Sequence, residues 1–151
     1  FAQTAAAEVK VGFVNSDRVM KEATPAKKAQ QKLEKEFEKR DQDLQRIAKQ
    51  LQGMQEALEK NSMTMGEGER RNKEREFNDL NREFQRKQRE FREDLNQRRN
   101  EELAGVLERA NKTIKQIAEA DKYDIIFQEA VYASPRIDIT DKVIKALSEA
   151  K

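Results

Sequence analysis

The chain has 151 residues, of which 40% are charged and only 36% belong to the hydrophobic set; 31 basic and 29 acidic residues leave a net charge of +2. So little apolar material cannot fill a compact core for this length, and near-cancelling charge with periodic apolar residues argues against disorder, which leaves long helices burying a narrow seam. With no Cys and no His, the common zinc ligand sets, disulfides and nucleophile–base pairs built on those residues are excluded, and no metal or cofactor is expected.

The amino end reads FAQTAAAE, without an initiator Met. Its small residues fit the tail of a secretion signal near the cleavage point, so residues 1–8 are expected to be a flexible remnant of export. No apolar run approaches the roughly 18–20 residues that a membrane span needs. Over residues 9–14, Val9, Val11 and Phe13 alternate with Lys10 and Gly12, the period of a strand with one buried face. Asn15-Ser16-Asp17 supplies capping side chains for a short helical piece carrying Val19 and Met20. Thr24-Pro25 then kinks the chain and restarts a helix, since Thr caps well and Pro is favoured at the first helical position.

Between residues 26 and about 60, Leu33, Phe37, Leu44, Ile47, Leu51, Met54 and Leu58 fall at steps of three, four and seven. That is a heptad seam, interrupted only where Arg40 takes a core-phase position. Asn61, Ser62, Gly66 and Gly68 mark a turn over 61–68. A second helix of roughly 50 residues follows to about residue 120, on the order of 75 Å long. Phe77, Leu80, Phe84 and Phe91 begin its seam, and from Phe84 the residues Leu95, Val106 and Ile117 recur every eleven positions. An eleven-residue period nearly matches a straight helix, so the supercoil relaxes there. Two helices of similar length joined by a short turn are expected to fold back as an antiparallel hairpin.

After Asp121 the pattern returns to strands: Tyr123 to Phe127, then Ala130 to Ala133, a turn at Ser134-Pro135, and Ile137 and Ile139 alternating with polar neighbours. Thr140-Asp141 caps a last short helix bearing Val143, Ile144 and Leu147. The expected fold class is α+β, predominantly α: a body from residues 9–24 and 121–151, with a coiled-coil hairpin arm over 25–120 inserted between them. A body of three or four short strands is marginal alone, and its strand edges recruit other chains. Val9, Val11, Phe13, Ile125, Phe127, Val131, Ile137 and Ile139 are therefore the candidate self-association residues.

Catalysis is not expected. Gly66-Glu67-Gly68 lacks the rest of a phosphate loop, and Glu101-Glu102 sits on a solvated helix face. Near-neutral net charge and sparse aromatics outside the seam argue against nucleic acid as a partner.

The strand VKVGFVN, the segments FQRKQREF and RRNEEL on the hairpin, YDIIF and IDITDKVIKAL together resemble the Skp (OmpH) family of periplasmic chaperones over essentially the whole chain. The end segments carry most of the specificity, because the hairpin alone matches many coiled coils. The resemblance implies a jellyfish-like homotrimer with three hairpin arms around a cavity. It also implies ATP-independent holding of unfolded outer-membrane proteins in the periplasm of a Gram-negative bacterium. Some members are linked to lipopolysaccharide or the membrane surface through basic arm residues. Lys87, Arg98 and Arg99 lie in the comparable stretch, with Leu95 and Gln97 where more basic residues belong. For client contact the candidates are Met63 and Met65, whose flexible thioethers adapt to varied apolar segments, and the cations Arg70, Arg71 and Lys73 beside them. A coiled-coil spacer or assembly scaffold is the alternative, though it leaves the terminal strands unexplained.

Overall fold

The computed structural model describes residues 7–150, and 76% of them are helical. All but Ala7 and Glu8 of the expected export remnant lies outside the described residues. In chain order the elements are β1 (Val11–Phe13), α1 (Ser16–Glu22), α2 (Thr24–Asn61), α3 (Glu67–Ala120), β2 (Ile125–Phe127) and α4 (Thr140–Glu149). The chain is thus α+β and predominantly α, as the patterning predicts. Two compact units form: one holds the described residues through Lys32 and from Asn100 onward, and the other is Leu33–Arg99.

The first unit is built on a parallel pair in which Val11 opposes Ile125 and Phe13 opposes Phe127. On its other side β1 meets the segment around Asp138. The Phe13 amide donates to the Ile137 carbonyl at 2.8 Å, and the Ile139 amide donates to Phe13 at 2.9 Å. Those bonds make a single bridge rather than the expected strand over 137–139. The expected strand over 130–133 does not form at all. Both edges of β1 are taken, and Val131 is fully exposed.

The burial of β1 also differs from the sequence expectation. Val9, Val11 and Phe13 do not form its buried face. Val9 is exposed, and the enclosed side holds Gly12 and Val14. Packing there is close: a Cβ on Gly12 would sit 3.1 Å from the Tyr123 ring, so glycine lets the C-terminal segment approach without displacing that ring. Lys10 locks that approach. Its amide donates to Asp124, its Nζ donates to the Asp121 carbonyl, and the ammonium lies 4.3 Å from the Tyr123 ring centre.

Val14, Val19, Ala23, Ile114, Ile139, Val143 and Leu147 form the core of this unit. Each large aliphatic side chain so enclosed contributes about 1.5–3 kcal/mol. Asn15 caps α1, its Oδ1 accepting from the Arg18 amide at 3.1 Å. Ala23, in extended conformation, separates α1 from α2, which places the kink just before Thr24-Pro25. The cap of α4 is shifted from its expected place. Thr140 is the first helical residue, and Asp138 accepts from both its amide and its hydroxyl. That frees the buried Thr140 oxygen to accept from the Asn15 amide at 2.9 Å, tying the start of α4 to the cap of α1. Ala26, Ala29 and Val106 make a second, smaller cluster joined by Met20, where alanines let α2 and α3 run close together.

In the second unit α2 and α3 pair antiparallel. Within this unit Leu33, Phe37, Ile47 and Leu51 are the buried residues of α2, all on the expected seam. The turn is shorter than the glycines suggest, because α3 already begins at Glu67 and includes Gly68. Glu67 and Glu69 in its first turn favour that early start by complementing the helix dipole. The Thr64 and Met65 amides both donate to the Asn61 carbonyl at 3.0 Å and close the turn.

Candidate functional site

Halfway along the antiparallel pair the seam changes character. Phe37 and Phe91 meet edge to face with ring centres 5.5 Å apart, and the Arg40 guanidinium lies 5.4 Å and 5.7 Å from the same two ring centres. Arg40 also reaches across to Asp94 at 2.9 Å. On either side of this layer the helices exchange further ion pairs, Arg98 donating to Glu36 through Nε at 2.9 Å and Nη2 at 3.1 Å, and Lys87 holding Asp43 at 3.1 Å. Hydrogen bonds from Arg46 first and Lys87 second hold the Asp43 carboxyl below its ordinary range. An open groove of about 650 Å³ lies here, bordered by Arg40, Asp43, Leu44, Lys87, Glu90 and Phe91.

This layer accounts for two of the three residues considered for anion contact. Lys87 and Arg98 already face carboxylates across the seam, and only Arg99 stays on the exposed face. The pattern was accessible in principle: from Phe84, the positions Lys87, Phe91, Leu95 and Arg98 continue the steps of three and four. An eleven-residue reading skips the two cations. Asp94, one turn before Arg98 on the same helix, reaches across the seam to Arg40.

At the turn the two methionines separate. Met63 is 97% exposed. Met65 folds back and borders a groove of about 480 Å³ whose apolar side is Met54, Ala57 and Leu58. Lys73 borders the same groove. Arg70 and Arg71 are engaged along their own helix with Glu74 and Glu67. Behind the turn, Phe77, Leu80, Phe84 and Leu95 of α3 are only half-buried, because one partner helix cannot cover them.

The first unit carries a separate apolar surface. Ile125 and Phe127 of β2 are nearly half exposed, and Val9, Val131 and Tyr132 are more so. Among the candidate self-association residues, Val9, Ile125, Phe127 and Val131 are therefore open, while Val11, Phe13 and Ile137 are half-buried. Ile139 differs from the rest: it is 8% exposed and packs within the core of its own unit. Tyr132, Leu103 and Leu107 are exposed apolar residues that sequence reasoning did not single out.

The pattern of the outer membrane protein (OmpH-like) family matches residues 10–147. A crystal structure of a candidate OmpH-like outer membrane chaperone from Caulobacter crescentus CB15 superposes with a TM-score of 0.76 and 22% sequence identity, covering 98% of this chain and 89% of that one. No curated protein sequence matches the chain significantly. The Caulobacter likeness establishes the shared fold, and the family match, which spans nearly every described residue, establishes that this chain belongs to the OmpH-like family.

Proposed function

We propose that this protein is an ATP-independent holding chaperone of the periplasm that keeps unfolded outer-membrane proteins from aggregating, and that it works as a homotrimer. The observation that carries the reading is the half-covered seam of the second unit. Phe77, Leu80, Phe84 and Leu95 are exposed enough for weak apolar contact, yet each is flanked by charged residues that keep the helix soluble. Many weak contacts along a long surface suit a client without fixed structure, and release then needs no nucleotide. Family membership and the name borne by the Caulobacter protein support the same reading.

The exposed apolar residues of the first unit support self-association. A free β2 edge flanked by Val9, Ile125, Phe127 and Val131 is a surface that a second copy covers. Cyclic closure with three copies follows the family pattern, and light scattering should return three times 17.6 kDa.

The test of function is direct. A denatured β-barrel membrane protein, diluted into nucleotide-free buffer with a stoichiometric amount of this chain, should stay soluble. Aggregation at the rate seen without the chain refutes the holding role.

A further inference from the structure

The chain contains no Cys, no Trp and no His, so its four methionines are the side chains that two-electron oxidants reach first. Their placement is uneven. Met63 stands fully in solvent at the turn, and Met65 and Met54 border the groove beside it. Met20 belongs to the other unit, packed against Ala26, Ala29 and Val106. Three of the four thioethers thus gather at the end of the antiparallel pair, where Met63 is exposed and Met54 and Met65 are half-buried.

We propose that the end of the antiparallel pair is a reversible oxidation site for peroxide-class oxidants, centred on Met63, and that its oxidation weakens the hold on apolar client segments. The second half of this proposal rests on the holding role proposed above. In the reaction the Met63 sulfur gives an electron pair to one peroxide oxygen and the O–O bond breaks. A sulfoxide S–O bond forms, and the departing oxygen leaves as water after proton transfer. The sulfur loses two electrons and the peroxide gains them. A flexible apolar contact becomes a polar one that needs water around it. At Met65 the same change replaces an apolar contact beside Met54, Ala57 and Leu58 with a polar group, in a groove whose remaining lining includes Glu69, Lys73 and Glu76. A methionine sulfoxide reductase with its thiol reductant restores the thioethers.

Limited hydrogen peroxide treatment of the full chain, followed by peptide mass mapping over time, tests the site without any client. Met63 should lead and Met20 should lag, by about fivefold or more in rate. Equal rates, or Met20 ahead, overturn the site. Retention of a denatured β-barrel membrane protein is then compared before peroxide, after it, and after reductase treatment. It should fall on oxidation and return on reduction, while in the double variant Met63→Leu/Met65→Leu peroxide should leave retention at its starting level. Unchanged retention in oxidised wild type overturns the contact role. If untreated protein holds no client at all, the holding role is what fails, and the order of oxidation is judged separately from the mapping.

Discussion

The two units solve different problems with the same poor supply of apolar residues. In the first, Val14 and Val143 are fully enclosed, and the buried Thr140 is satisfied by Asn15 and Asp138. Among the described residues no buried side-chain polar atom lacks a partner. In the second, the seam alternates apolar contacts with ion pairs, and its α3 side stays half open. Strands in fixed register need dense packing, because a slip by one residue turns every side chain over. Paired helices need only lateral attraction and a register, and cross-seam ion pairs provide the second with little need for the first.

Truncation should show the largest contrast. Leu147→Ala in the enclosed core is expected to cost about 2–5 kcal/mol, whereas Leu44→Ala, which removes a half-buried side chain, should cost about 1 kcal/mol. Urea denaturation measures both, and similar losses would contradict the stated difference in packing. Glycine substitution should next give opposite signs in the two units. Gly12→Ala drives a methyl group against the Tyr123 ring and should destabilise by about 1–3 kcal/mol. Gly53→Ala, with nothing within 4 Å of the added carbon, should stabilise by about 0.5–1 kcal/mol.

The smallest contrast is electrostatic. Asp43 is held below its ordinary value of 3.8, so its contribution is complete above that pH and fades as pH falls through the depressed folded value. Asp43→Asn should flatten this acid limb of stability, measured by thermal denaturation across pH 2–5, and an unchanged limb would remove Asp43 from the account. Raising salt toward 1 M should weaken Arg40–Asp94 and Lys87–Asp43, both solvent-accessible, more than it weakens the enclosed core.

These contrasts also explain what the sequence could reveal. Leu33, Phe37, Ile47 and Leu51 are large, regularly spaced and buried as expected. Ala23, Ala26, Ala29 and Ala110 are just as buried, but alanine occurs freely on helix surfaces, so its spacing carries little signal. The cross-seam partners of Arg40, Asp43 and Lys87 depend on the register of two helices, which no local pattern states. Residues 130–133 have strand-like side chains but no partner, since the far edge of β1 goes to Asp138. At the turn, Met63 and Met65 are equivalent by composition. The folded turn, closed by two amides on the Asn61 carbonyl, leaves Met63 outward and Met65 beside Met54 and Leu58.

The parallel pairing of Val11 with Ile125 has a kinetic consequence. Helical hydrogen bonds span four residues and form within about a microsecond, whereas this sheet joins segments separated by most of the chain. During synthesis the first strand emerges early and has nothing to pair with until the last fifth of the protein appears. The helices should therefore gain structure first, and closure of the sheet should be the slow, late event, set by the loop entropy of bringing distant ends together. A protein built on this plan spends its own youth as a partly unfolded chain with exposed strands.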